Sequence, residues 1–158
     1  MLRQTPTRQP AIPTRKPLVI RGAGSASFSP MFVRLARRAW PVLFPKRLDS
    51  QASVTFLSSS AMARVNKQTR GRSGATTVLA FPFEPDGSSD PLVGEILLCV
   101  PAIRTWAAEQ ELTLRQATAR MFVHALLHLA GYDHATNADA GRMEALEDRF
   151  LATPERAI

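Results

Sequence analysis

The sequence of 158 residues has one cysteine, Cys99, which excludes an internal disulfide. It has no acidic residue before Asp49 and only three histidines in all. No apolar stretch approaches the ~20 residues needed to cross a bilayer, and charges or prolines interrupt most of the longer ones, so no membrane association is expected. Nothing near Met1 combines an apolar run with a small-residue cleavage site, as a secretory leader would. These absences lead to the expectation of a soluble protein in a reducing, cytoplasmic setting. No internal repeat is visible. A domain of this length buries roughly two-thirds of the surface its unfolded chain exposes, so folding needs no covalent staple.

The charge that is present is unevenly placed. Residues 1–48 carry 10 Lys or Arg and no acid, whereas residues 49–158 carry 10 basic and 13 acidic residues. A basic block of this kind suits a polyanionic partner, nucleic acid being the commonest. Two other readings stay open for Met1 to Lys16: a solvated tail that aids solubility, and an Arg-rich transit peptide, against which four prolines by position 17 argue. Residues 1–16 have no hydrophobic period and are expected to form a disordered basic tail ahead of one domain spanning residues 17–158.

Within that domain, Pro17 to Ile20 reads as a first strand. Phe32, Leu35, Ala36, Ala39 and Trp40 then recur at helical spacing from Ser29-Pro30 onward, with Arg34, Arg37 and Arg38 opposite, and Pro41 and Pro45 are expected to end this helix. Gln51–Leu57 alternates as a second strand, and Ser58 to Ser60 can cap a helix from Ala61 to about Lys67. Thr76–Phe83, stopped by Pro82 and Pro85, and Leu92–Val100 read as third and fourth strands around a polar loop, Glu84 to Pro91. Pro101 suits the first turn of a helix. Thr113 with Gln116, and Thr136 with Asp139, make capping patterns for two further helices, the first running to Gly131 and the second carrying Met143, Leu146 and Phe150. The order β-α-β-α-β-β-α-α-α predicts an α+β fold in which helices cover a small mixed sheet of about four strands.

All three histidines fall within eleven residues, at His124, His128 and His134. Residues four apart share a helix face, so His124 and His128 can direct their rings to one point. Gly131 can take the left-handed conformation that ends a helix, which lets the chain turn and bring His134 back. Three neutral imidazoles suit one zinc ion and leave a fourth position open, as a catalytic rather than a structural site requires. The spacing matches the metzincin proteases, yet Ala125 stands where their general-base glutamate belongs, so peptide hydrolysis by that route is not expected.

These residues carry a resemblance. His124-Ala-Leu-Leu-His128-Leu-Ala-Gly131-Tyr132-Asp133-His134 resembles the signature H-G-x-L-H-L-x-G-Y-D-H of the YbeY-type endoribonucleases, with Ala125 for Gly as the single departure. Asn66 through Pro82 is similar to a second block of that family and keeps Asn66, Arg70, Thr76, Val78, Leu79, Phe81 and Pro82. It departs at Thr69, Arg72, Ser73, Ala75, Thr77 and Ala80. Gly94 to Cys99 and Met143 to Glu147 resemble two shorter blocks, and the whole likeness spans about residues 50–151.

The resemblance implies a zincin-like fold, three-histidine zinc ligation, and single-strand-specific cleavage of RNA in rRNA maturation and ribosome quality control. It implies an rRNA precursor and the ribosome or its associated proteins as partners, with no DNA specificity. Arg70 matches the family's functional arginine, and a guanidinium near a metal can clamp a phosphodiester and stabilise its developing charge. Taken alone, without the resemblance, the same residue reads first as half of a surface salt bridge. Asp133 either orients a ligand imidazole or caps the local turn. Cys99 reads as a buried strand residue rather than a fourth ligand, and Glu95 faces either cleft or solvent according to strand register. No side chain is identified as a general base. Two other functions compete: a catalytically weak ribosome- or RNA-binding module, and a metallopeptidase lacking the usual glutamate.

Overall fold

The computed structural model describes residues 16–84 and 90–152. The expected tail, residues 1–15 of it, and most of the polar loop before Leu92 lie outside the described residues. The elements follow the expected order: β1 (Leu18–Arg21), α1 (Ser25–Leu43), β2 (Gln51–Phe56), α2 (Ser59–Arg70), β3 (Val78–Pro82), β4 (Leu92–Leu98), α3 (Val100–Glu109), α4 (Leu114–Leu129) and α5 (Asn137–Leu151). The strands make one mixed sheet in the order β1-β2-β4-β3, parallel except where β3 runs antiparallel to β4. The α+β expectation of helices over a four-stranded mixed sheet holds.

Side-chain alternation divides the sheet into two faces. Val54, Ile96 and Leu98 join the main core, which takes Phe32 and Trp40 from α1, Ile103 from α3, Phe122, Leu126 and Leu127 from α4, and Met143 and Phe150 from α5. Leu79, Leu97 and Cys99 make a smaller core on the other side with Met62 of α2. Each fully buried large side chain here removes enough apolar surface to contribute about 1.5–3 kcal/mol. The helix α4 lies at the centre, packed on β3, β4, α1, α3 and α5. Its start is fixed by a complete capping box between Thr113 and Gln116. The stacked rings of Phe32 and Phe122, 4.1 Å between centroids, hold it against α1.

One proline departs from expectation and another ends its element as expected. The first helix begins at Ser25 rather than Ser29, and Pro41, expected to help end it, lies inside it. An interior proline costs about 3 kcal/mol through its missing donor and ring clash. Burial of Trp40, Leu43 and Phe44 on both sides of Pro41 offsets that penalty and carries the helix to Leu43. Pro82, expected to stop the third strand, is its last residue, a position tolerated because β3 lies at the sheet edge.

Gly94 sets the distance between the sheet and α4, the helix that carries His124 and His128. A β-carbon built there would stand 2.5 Å from Leu129 Cδ2 of α4 and 2.6 Å from the Phe81 carbonyl oxygen of β3. Only a glycine lets α4 lie this close over β4.

Candidate metal centre

The helix α4 presents His124 and His128 on the side that faces β3. It ends in a Schellman motif: Gly131 has φ +95°, its N–H donates to the His128 carbonyl at 3.0 Å, and the Tyr132 N–H donates to the Leu127 carbonyl at 3.0 Å. The reversal returns His134 toward the helix. One ring nitrogen from each of the three histidines lies within 4.8 Å of the others. The Nε2 atoms of His124 and His128 are 3.1 Å apart. Ligand nitrogens around a tetrahedral ion at bond lengths of about 2.0–2.1 Å stand roughly 3.3 Å from one another, so the helical pair already has the required separation. The donor set therefore fits a divalent ion that accepts imidazole, with a coordination position left over.

His128 is half-buried, and that burial holds its pKa below the ordinary 6.5; the neighbouring His124 and His134 push in the same direction, against smaller opposing effects of Asp133 and the Tyr132 backbone. The ring is thus kept neutral and able to donate a lone pair near neutral pH.

Glu147 of α5 completes the arrangement from outside. It is buried, at 7 % exposure, and its Oε1 accepts from Nδ1 of His124 at 2.5 Å, while its Oε2 accepts from Nη1 of Arg120 at 3.3 Å. Arg120 also reaches Asp148 Oδ1 at 3.0 Å. Holding Nδ1 in a hydrogen bond fixes the ring orientation and leaves Nε2 for a metal. Asp133, for which two readings were open, accepts from the His134 backbone N–H at 2.8 Å and so caps the turn, with its Oδ1 3.6 Å from Nδ1 of that ring.

Arg70 is the last residue of α2, and it lines the same cleft of about 360 Å³ as Ala80, Asp133 and the three histidines. Among the described residues it makes no ion pair, so the salt-bridge reading has no support in the structure. Cys99 is fully buried just beyond β4, in the smaller core and outside the histidine cluster. Glu95 pairs with Phe81 in register, and alternation along β4 puts it on the α2 side of the sheet, away from the cleft.

Glu147 and Arg120 are the site residues that sequence reasoning missed. Glu147 entered only within a block resembling a family pattern. The available signal was its spacing: an acid four residues after Met143 and three before Phe150 sits on the buried stripe of α5, where a charge needs a partner.

Fold and cleft together define a zincin-like α+β protein with a three-imidazole centre able to hold a metal ion. The family model described as Endoribonuclease YbeY matches residues 35–155. The chain belongs to that family. An endoribonuclease YbeY of Aromatoleum aromaticum is 37% identical over 132 residues, covering 84% of this chain and 82% of its own. Another, from Stutzerimonas stutzeri, is 41% identical over 106 residues, covering 66% of each chain. The solution structure of a Thermotoga maritima protein aligns with TM-score 0.57 over 89% of this chain and 99% of its own, at 22% identity, a likeness of fold.

Proposed function

We propose that the protein is a zinc-dependent, single-strand-specific endoribonuclease that acts on rRNA precursors in ribosome maturation and quality control. His124, His128 and His134 hold one zinc ion, and Arg70 is the catalytic arginine. What carries this reading is one observation: three ring nitrogens within 4.8 Å of one another open into the cleft that Arg70 also lines, in a chain of an endoribonuclease family. Zinc supplies Lewis acidity toward a phosphoryl oxygen.

The chain's own residues do the rest. Arg70 lines the same cleft, and its planar fork can take two phosphoryl oxygens and stabilise the charge that develops on them. Glu147 keeps His124 in one tautomer and one orientation. Ala125 offers no carboxyl group beside the ligands, so proton removal falls to no side chain at that position. The nucleophile is then a water molecule or the ribose 2′-hydroxyl: its oxygen forms the new P–O bond and gives its proton to solvent, while the P–O5′ bond breaks and the leaving 5′ oxygen takes a proton from solvent. The ribosome and its associated proteins are the expected partners. Residues 17–158 act as one catalytic unit, and the basic segment before it draws in the RNA backbone. Among the described residues no helix is long and apolar enough to cross a membrane, and a cytoplasmic site of action fits that substrate.

The test is cleavage of single-stranded RNA by the wild type, the chelated protein, His128→Ala and Arg70→Ala. Cutting by the metal-loaded wild type, with large losses in the other three, is the expected result. Equal cutting by all four defeats the proposal, and so does retained RNA affinity without cleavage under any divalent metal.

A further inference from the structure

A second cavity, of about 510 Å³, lies between α1, the start of α4 and the end of α5. Four guanidinium groups line it: Arg34 and Arg38 from α1, Arg115 and Arg120 from α4. Its apolar floor comes from Met31, Leu35 and Leu151, and no acidic side chain is among its described lining residues. The first turn of α4, at its wall, also lacks an acid, so the positive end of that helix dipole is not offset there.

The sequence pattern brings only Arg34 and Arg38 to notice, as part of a basic helix face. The fold adds two arginines from more than seventy residues further along the chain. All four have partners already. Arg38 donates to the Phe150 carbonyl at 2.8 Å, Arg120 holds Glu147 and Asp148, and Arg34 and Arg115 each engage a group of their own. A guanidinium has five N–H donors, so each can take a further oxygen acceptor.

A cationic rim over an aliphatic floor matches the chemistry of a nucleotide: phosphate oxygens meet guanidinium forks, and base or ribose covers the apolar surface. The volume falls in the range of small-molecule sites. Position favours a strand over a free nucleotide. Arg120 and Gln116, which line the groove, lie about one and two helical turns before His124 on the same stripe of α4, whereas Arg115, nine residues before it, projects from the opposite side of the helix. A strand engaged at the histidines can therefore continue along α4 into the groove within a few nucleotides.

We infer that this groove is a second RNA-binding site, which holds a nucleotide of the strand whose scissile bond lies at the histidine centre. The inference rests on the reading of the chain as an RNA-cleaving enzyme. Its consequence is an affinity that rises once the strand is long enough to span both sites and that falls steeply with salt.

The experiment is fluorescence anisotropy with the metal-loaded full chain and a labelled 2′-O-methyl oligonucleotide of about twelve nucleotides, within the span that single-strand sites cover, beside a dinucleotide and a mononucleotide. The paired substitution Arg34→Gln with Arg115→Gln should weaken binding of the long strand about tenfold and reduce the slope of log K against log salt by about 1.4, the share of two phosphate contacts. Arg34→Lys with Arg115→Lys keeps the charge and should retain most of that slope. Melting curves show whether each variant is folded. Unchanged affinity and slope in a folded glutamine pair overturn the inference. It is also overturned if only the mononucleotide loses affinity, or if binding of a polyglutamate peptide is lost while RNA binding stays. A wild type that never cleaves RNA, with the affinity difference still present, defeats the enzymatic reading and supports the groove.

Discussion

Oε1 of Glu147 lies 2.5 Å from Nδ1 of His124, across the seam between α5 and α4. The carboxyl group is buried and steadied from behind by Arg120. Partners of this kind, which hold a ligand imidazole, are typically worth 10–100-fold in metal affinity. Glu147→Gln is expected to lower zinc affinity about tenfold and Glu147→Ala nearer a hundredfold. The alanine variant should also lose on the order of 1–2 kcal/mol of stability, because His124 loses its acceptor while Arg120, one-third exposed, keeps Asp148 as a partner. Competition with a chromophoric chelator and thermal denaturation measure the two effects. Wild-type zinc affinity in Glu147→Ala would remove the positioning role.

Stability and metal uptake should both fall on the acid side. A histidine whose folded pKa lies below 6.5 favours the neutral ring in the native state. The metal-free protein therefore has its full stability from this group above pH ~6.5 and loses it as pH drops through the lowered folded value. Metal release follows the same direction, since protons compete for the same nitrogen. Melting temperature and bound zinc recorded from pH 8 to pH 5 should be flat at the upper end and decline below. In His128→Asn the part of the decline in stability due to this ring should vanish. An acid decline in that variant as steep as in the wild type would rule out His128 as its source.

Arg70 stands on a different element from the ligands, so its removal should separate chemistry from metal binding. Arg70→Ala is expected to lower kcat by about 10²–10³-fold, as loss of one donor to a developing oxyanion does, while zinc content stays at one per chain. Arg70→Lys should recover only part of the rate, because an ammonium group lacks the bidentate fork. Single-turnover cleavage beside metal analysis makes the comparison. A fall in zinc content matching the fall in rate would assign Arg70 to the fold instead.

Gly94 offers a test of the sheet's hold on the ligand helix. The methyl group of Gly94→Ala would meet both Leu129 and the Phe81 carbonyl, and overpacking of this kind costs about 1–3 kcal/mol. The expected result is a lowered melting temperature with weakened zinc binding, because the strain falls on the last turn of α4, next to His128. A variant with wild-type melting and metal affinity would show that α4 can shift without disturbing the centre.

Much of this was legible in the chain. The spacing of His124, His128, Gly131 and His134 determines a helix, a Schellman turn and converging rings, because each step is local. Element order was legible for the same reason, capping boxes and strand alternation being short-range patterns. Pro41 was misleading because its local penalty is outweighed by burial of Trp40 and Leu43, which no window around position 41 displays. Glu147 was obscured by distance. It lies twenty-three residues from His124, and only the packing of α5 on α4 brings the two together. The groove arginines share that obstacle, coming from helices far apart in sequence.

The three imidazoles are not equivalent. Two ride on a packed helix, whereas His134 sits on the exposed link between α4 and α5, its side chain 56% accessible. A bound ion would therefore act as a clasp, pinning that link to the helix it has just left. Chelation should register first as faster amide exchange and easier proteolytic nicking between Gly131 and Thr136, with the sheet untouched, so that metal loading is readable in the order of a six-residue connection as well as in catalysis.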